Sequence, residues 1–264
     1  METPEQIAKK IKNRFEIFYV AISGGKDSTT TAIWALKNLP KEKLLFVFAD
    51  TSHEARDTYN YISYLEKKLN IKIKRIFPPK TFYEAVEKKG YFPSKNSRFC
   101  TEILKKPVRD KVLTRLINKG YEKICIITGV RAEESEERAK YPMFEEKNGI
   151  GIFRPIINWK THEVFSYIEE NGVEINPLYK KGCTRVGCMP CIFASKNEIK
   201  LLFEDPAFET QRKKIQFLEK KIGRPFFINE TLKDRYIRIK RGLYKERKKE
   251  SQSICNISGI SYCE

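Results

Sequence analysis

Ile17-Phe18-Tyr19-Val20-Ala21-Ile22-Ser23-Gly24-Gly25-Lys26-Asp27-Ser28 is the stretch on which the reading of the whole chain turns. It opens with an unbroken run of apolar β-formers, long enough for a buried strand. Over 29–36 apolar residues recur at roughly helical spacing. Between strand and helix lies a tight Ser-Gly-Gly turn. Such a junction makes an anion site: glycines let the backbone approach an oxyanion, and N–H groups without intrahelical partners point at it. Lys26 adds a point charge, Ser23 and Ser28 add hydroxyls, and Asp27 can hold Mg²⁺ on a phosphate. The spacing is not the Walker pattern, which needs a longer glycine interval and ends in Gly-Lys-Ser/Thr. Taken alone, the segment also reads as a Gly-rich turn in which Asp27 or Ser28 merely caps a helix.

The flanking sequence separates these readings. Further buried strands are expected over 44–49, ending in Asp50-Thr51, over 71–77, closed by Pro78-Pro79, over 123–128, ending in Gly129, and over 152–157. Helices are expected over 54–69, over 82–89 ended by Gly90, over 101–118 interrupted early by Pro107, and over 161–171. Thr3, Pro4 and Gln6 read as the cap, first turn and capping-box partner of an opening helix. Strands alternating with helices imply an α/β fold with a doubly wound, mainly parallel sheet, which binds ligands at the carboxyl ends of its strands. Ser23, Asp50 and Gly129 all fall at such ends, and the anion reading gains accordingly. A shift in composition near residue 195 divides the chain into an α/β domain with a Cys-rich loop (1–194) and a basic helical C-terminal extension (195–264).

Bulk properties narrow the class. The 264 residues are 41% hydrophobic, ample for a packed core. No apolar run approaches the ~20 residues that cross a bilayer, and the N-terminus lacks the basic-then-apolar order of a signal peptide. A cytoplasmic protein without membrane contact is expected. Two histidines argue against a His-rich metal site or a His-based triad. A formal charge of +18 fits either a lysine-rich surface suited to solubility and heat or a polyanionic partner, DNA or RNA. Over 212–249 Lys and Arg are interleaved with Phe226, Phe227, Tyr236 and Tyr244, a composition suited to phosphate contacts and base stacking. The same composition also suits a solvated helix pair packed on the sheet.

Seven cysteines without a secretory signal are thiols or metal ligands rather than disulfides. Cys188 and Cys191 have the separation common to zinc sites, iron–sulfur ligation and thioredoxin-like pairs. Cys183 lies in the same loop, and Cys100 is the natural distant partner. Cys100, Cys183, Cys188 and Cys191 would complete a tetrahedral set. Cys125, inside an expected strand, reads as buried and inert. Just past the strand end at Gly129, Arg131 and Arg138 could clamp phosphate or sulfate oxygens bidentately, or pair with the glutamates around them.

Together these motifs resemble the phosphoadenosine-phosphosulfate reductase branch of the PP-loop ATP pyrophosphatases. The matching elements are Ser23 to Ser28, Asp50-Thr51, Arg98-Phe99-Cys100-Thr101 with Lys105-Lys106-Pro107, and Gly129-Val130-Arg131 with Glu134-Ser135 and Arg138. Pro155-Ile156-Ile157-Asn158-Trp159, Asn176-Pro177-Leu178-Tyr179 and Arg185-Val186-Gly187-Cys188-Met189-Pro190-Cys191 follow in the same order, and the match covers roughly 16–195. The resemblance implies an adenine-nucleotide enzyme of sulfur metabolism with an iron–sulfur cluster, 4Fe-4S in preference to zinc. Members that reduce sulfonucleotides have a degenerate phosphate loop, adjacent cysteines and a C-terminal Glu-Cys-Gly nucleophile. Here the loop is intact, Phe99 precedes Cys100, and the chain reads Ser261-Tyr262-Cys263-Glu264.

The resemblance is therefore read toward members that split ATP into AMP and pyrophosphate, like those of DNA phosphorothioation and tRNA thiolation. On that reading Ser23, Gly24, Gly25, Lys26 and Ser28 hold the β,γ-phosphates and Asp27 organises Mg²⁺. Backbone near Asp50 and Gly129 contacts the nucleotide, and Arg131 or Arg138 steadies the activated intermediate. Cys183 is a provisional fourth cluster ligand, or a sulfur-relay thiol if three cysteines hold the cluster. Nucleic acid and a sulfur-donor protein are the implied partners, with a homodimer compatible. The alternatives are a sulfonucleotide reductase using Cys255 or Cys263, and a non-catalytic cluster-bearing nucleic-acid-binding protein.

Overall fold

The computed structural model describes residues 2–244. Helix α1 (Pro4–Ile11) starts at a complete capping box, with Thr3 and Gln6 bonding each other's backbone N–H groups, as their spacing predicts. Strands β1 (Ile17–Ile22), β2 (Leu44–Ala49), β3 (Ile73–Ile76) and β4 (Ile124–Ile127) are parallel and joined by α2 (Lys26–Asn38), α3 (Arg56–Lys68), α4 (Phe82–Lys89) and α5 (Lys106–Ile117). β5 (Phe144–Lys147) and β6 (Ile150–Phe153) complete a six-stranded sheet of order β3-β2-β1-β4-β6-β5. The doubly wound, mainly parallel sheet expected from the sequence is the one observed.

β1 and β4 lie in the middle of the sheet, and every residue of β4 is buried. That is why both read as continuous apolar runs rather than alternating ones. α2 packs on one face beside α6 (Thr161–Glu170), with Trp34 fully buried edge-to-face on Phe153 at 5.4 Å between ring centroids. α5 covers the other face through Val108, Val112 and Leu116.

Two expectations need correction. The strand expected over 152–157 lies instead at Ile150–Phe153 and is the second arm of an antiparallel hairpin with β5. Asn148 and Gly149 form its turn with φ of 53° and 76°, the left-handed pair that a tight hairpin needs. Pro155, without an N–H to donate, falls past the strand end. The helix expected over 101–118 begins as a π-helical turn, Thr101–Lys105, before α5 takes over with Pro107 in its first turn. The wider turn lies directly between Cys100 and Lys105.

Gly151 on β6 is tightly enclosed. A Cβ there would stand 2.6 Å from Cζ of Phe15 and 3.2 Å from Sγ of Cys125. Gly151→Ala should cost about 1–3 kcal/mol by overpacking. The check is a lower urea midpoint at unchanged slope.

The short helix α7 (Pro177–Lys180) leads into the cysteine loop, and α8 (Lys196–Glu204), α9 (Glu209–Ile222) and α10 (Leu232–Lys240) form the helical C-terminal part. These helices share one apolar cluster with α4, Phe99, Leu104, Cys183 and Met189. The stacking role expected of the tail aromatics is corrected here. Phe226 and Phe227 are core residues at 2% and 5% exposure, and Tyr236 lies flat on Phe203 with centroids 4.3 Å apart. Arg235 and Arg238 both pair with Glu230. Among the described residues no helix is long and apolar enough to cross a membrane.

Candidate functional site

The phosphate-loop candidate sits where β1 ends and α2 begins. Gly25 is the N-cap of α2 and has no side chain of its own to bond the helix's first N–H groups. Gly24 has φ of 78°, which glycine alone adopts freely. Ser28 Oγ accepts from Ser23 N at 3.1 Å and donates to the Gly25 carbonyl at 3.0 Å, pinning the turn. From the distant Asn176-Pro177-Leu178-Tyr179 segment, Asn176 Nδ2 donates to the Gly24 carbonyl at 3.1 Å. Lys26 N donates to the Tyr179 hydroxyl at 2.9 Å, so an oxygen already fits against the first N–H of α2.

Asp27 lies between two cations. Its carboxylate accepts from Lys26 Nζ at 2.7 Å and from Arg131 Nε at 2.5 Å. The Arg131 side chain, 3% exposed, also donates to Glu133, the Trp159 carbonyl and Thr161 Oγ1. Hydrogen bonds from Thr161 and then Arg131 hold the Glu133 carboxyl down at about 2. Arg131 thus acts on the loop through Asp27 rather than as a free clamp. Arg138 is ion-paired with Glu134. At the end of β2, Asp50 accepts from Ser52 N at 2.9 Å and the Tyr59 hydroxyl at 2.8 Å, which fixes the backbone beside the strand end.

A cavity opens over the carboxyl ends of β1, β2 and β4. Ser23, Phe48, Gly129, Lys105 and Cys188 line it, so the phosphate loop and the cysteine loop face one space. The sequence did not single out Glu54, which also lines it. Glu54 accepts from Thr51 Oγ1 at 2.6 Å and pairs with Cys188 in an isolated β-bridge. Burial raises its pKa.

Cys100, Cys188 and Cys191 lie within electrostatic reach of one another, whereas Cys183 interacts with Glu198 instead. Burial, and then the neighbouring Cys191, pushes the Cys100 thiol up. Burial followed by Glu54 pushes Cys188 up to about 12, with Cys191 and Cys100 adding to it. Cys183 has no thiol neighbour of this kind. It is pushed up to about 12 by burial and then by Glu198, and it packs in the apolar cluster of the C-terminal helices. Helix α8 packs beside the start of the loop, where Glu198 accepts from Thr184 N. Among the described residues no group of three or more His, Cys, Asp or Glu side chains is placed to hold a metal ion. Cys125 is fully buried in β4, as expected. Cys255 and Cys263 lie outside the described residues.

Two side chains hold the cysteine loop. Glu198 on α8 accepts from Thr184 N at 3.1 Å and Ser195 N at 2.8 Å, tying the loop to the helix start. His53 stacks on Phe82 at 3.9 Å, and its ring nitrogens lie 2.9 Å from the Pro190 carbonyl and 3.1 Å from the Tyr83 hydroxyl. Burial drives the His53 pKa down to about 4, from an ordinary 6.5. Between those values the unfolded chain binds a proton that the folded protein excludes, so stability falls as pH drops from 6.5 toward 4. The loss is on the order of 3 kcal/mol. Thermal unfolding at pH 7 and pH 5 checks this, and His53→Gln should flatten the dependence.

The fold and the strand-end cavity define a doubly wound α/β protein of the nucleotide-handling kind. Residues 17–194 match the family model of the phosphoadenosine phosphosulfate reductase domain, and the chain belongs to that family of enzymes, within the PP-loop superfamily. An uncharacterized 37.8 kDa protein of Escherichia phage 186 is 35% identical, with 70% of this chain and 69% of that one aligned. An uncharacterized protein of Methanocaldococcus jannaschii is 34% identical, and the match covers 68% of this chain but only 42% of that one. The adenosine 5'-phosphosulfate reductase of Allochromatium vinosum is 26% identical over 72% of each chain. The crystal structure of the phosphoadenylyl-sulfate reductase of Candida auris, in its phosphate complex, shares the fold with a TM-score of 0.55 at 19% identity. It covers 72% of this chain and 90% of that one.

Proposed function

We propose that the protein uses ATP and Mg²⁺ to adenylate an acceptor, with release of pyrophosphate, in a sulfur-transfer reaction. The observation that carries this reading is the intact Ser23-Gly24-Gly25-Lys26-Asp27-Ser28 loop around a helix start with glycine at its N-cap, opening on a cavity shared with Cys188. The helix N–H groups, Lys26 and the two serine hydroxyls would bind the β,γ-phosphates. Asp27 would exchange Lys26 for the metal, freeing the ammonium for the phosphates, while Arg131 keeps the carboxylate aimed. An acceptor oxygen attacks the α-phosphorus, the bond to the bridging oxygen breaks, and pyrophosphate leaves with the electron pair. Hydrosulfide then displaces AMP. Preorganised positive charge at the leaving group is the main catalytic contribution expected of the loop.

Cys100, Cys188 and Cys191 would hold an iron–sulfur cluster. The Cys188–Cys191 spacing and the electrostatic coupling of Cys100 to both thiols support this reading. The group would supply a site for sulfide, and the protein's part is to hold it beside the nucleotide cavity. The net charge of +18 favours a nucleic acid as acceptor.

Incubation with ATP, Mg²⁺ and labelled pyrophosphate tests the reading: exchange of label into ATP supports it. Similarity to an adenosine 5'-phosphosulfate reductase favours a second reading, sulfonucleotide reduction. Thiol-dependent sulfite from adenylyl sulfate, with no exchange, would establish that one instead.

A further inference from the structure

A groove of about 460 Å³ opens between the loop after α4 and the loop that joins α9 to α10. Lys89, Tyr91, Pro93, Arg224, Phe226 and Ile228 are among the residues that line it. Its volume falls in the range of roughly 300–1,000 Å³ that sites for small organic groups occupy. Both loops are fixed where they start. α4 and α9 end at Gly90 and Gly223, with φ of 72° and 64°, and Glu87 on α4 pairs with Lys221 on α9. Glu219 Oε1 accepts from Phe226 N and Leu232 N, both at 2.8 Å, which holds the second loop in shape.

The inner side of the groove is closed and its rim is open. Phe92 and Phe226 are buried and meet edge-to-face at 5.1 Å. Tyr91 is 40% exposed and Ile228 71%. The Tyr91 ring is braced at 5.5 Å by Phe99, the residue before Cys100, so the groove abuts the segment that carries that thiol. The charge on its wall has one sign. Lys89 and Arg224 are exposed, and neither forms an ion pair among the described residues. No aspartate or glutamate is among the described residues of the lining.

An exposed aromatic ring beside two unpaired cations suits a nucleotide chain, whose bases stack on the ring while its phosphates meet the cations. A duplex keeps its base faces stacked within itself, so an unpaired strand is the form that can offer one. An acidic peptide would meet the cations but leave the ring unused. The formal charge of +18 supplies long-range attraction for the same partner.

We propose that the groove docks single-stranded nucleic acid, with one base stacked on Tyr91 and neighbouring phosphates on Lys89 and Arg224. The site rests on the reading of a nucleic acid as acceptor and gives the strand a place beside Cys100.

Fluorescence anisotropy of the anaerobically purified full chain with a labelled oligothymidylate of about twelve nucleotides, without ATP, tests it. Tyr91→Ala should weaken binding roughly tenfold, the effect of one lost base stack, and Tyr91→Phe should keep it. Lys89→Gln and Arg224→Gln should each reduce the steepness of log affinity against log salt by about 0.7, the share of one phosphate on a single strand. The strand annealed to its complement should bind more weakly and be indifferent to Tyr91→Ala. Unfolding curves of each variant separate lost binding from lost structure. Parental affinity and slope in Tyr91→Ala, Lys89→Gln and Arg224→Gln overturn the proposal, since the strand would then lie elsewhere on the basic surface. Polyglutamate that displaces the strand as well as unlabelled strand does also overturns it, in favour of an acidic protein. Strand binding in a protein that exchanges no pyrophosphate removes adenylation alone, whereas exchange without strand binding removes the docking site alone.

Discussion

Replacing Asp27 with asparagine should abolish pyrophosphate release from ATP, lowering the rate by at least ~10²-fold, the size of effect seen when one preorganised charge is removed from an active site. The change is nearly isosteric, so its effect comes from charge. Asp27 joins Lys26 to Arg131, and the Arg131 side chain is 3% exposed. With a neutral amide there, Arg131 keeps Glu133 and Thr161 as partners but loses its most enclosed carboxylate. Breaking a buried pair from one side costs about 3–5 kcal/mol, so Asp27→Asn should also unfold at a lower temperature. Rates must be measured well below that transition. A variant that is destabilised yet retains full exchange activity would remove Asp27 from the chemistry and leave it a purely structural role.

Glu198→Ala should be the most disruptive change outside the nucleotide site. One carboxylate receives backbone N–H groups from Thr184 and Ser195, and the residue itself is 4% exposed. Its removal takes a charged acceptor from two part-buried donors, at roughly 1 kcal/mol each. The consequence extends beyond stability, because the anchored loop carries Arg185, Cys188 and Cys191. Labelling by a thiol reagent should accelerate at Cys188 and Cys191 by more than tenfold relative to the parent protein. Glu198→Gln, which keeps an acceptor oxygen, should fall between the two. Unchanged labelling in Glu198→Ala would show that the loop is held by its apolar contacts alone.

The central strands were legible because burial on both faces leaves no choice of residue: β1 and β2 have the boundaries their apolar runs imply. The β5–β6 hairpin was not, since β5 reads Phe-Glu-Glu-Lys and lies at the sheet edge, where polar side chains are tolerated. Its real signal was Asn148-Gly149. Spacing drew attention to Cys188 and Cys191 but could not tell which further cysteines join them. The placement of Cys183 among the C-terminal helices is a long-range packing event with no local pattern. The tail aromatics misled for a related reason: Phe226 and Phe227 look the same in sequence whether they await a base or fill a core.

The position of β1 between β2 and β4 also dictates an order of assembly. Phe18 pairs with Leu44, a short loop closure, whereas Ile17 pairs with Ile124, about a hundred residues further along. At roughly 5–20 residues per second of synthesis, one side of the middle strand stays without its neighbour for several seconds on the ribosome. Non-local pairing is intrinsically slow in refolding as well. Pulse-labelled hydrogen exchange should therefore protect β1 and β2 amides before those of β4 and β6, and simultaneous protection would contradict this order. Until β4 arrives, the apolar strand β1 is an open edge, and that interval is when the newborn chain is most exposed to association with its copies.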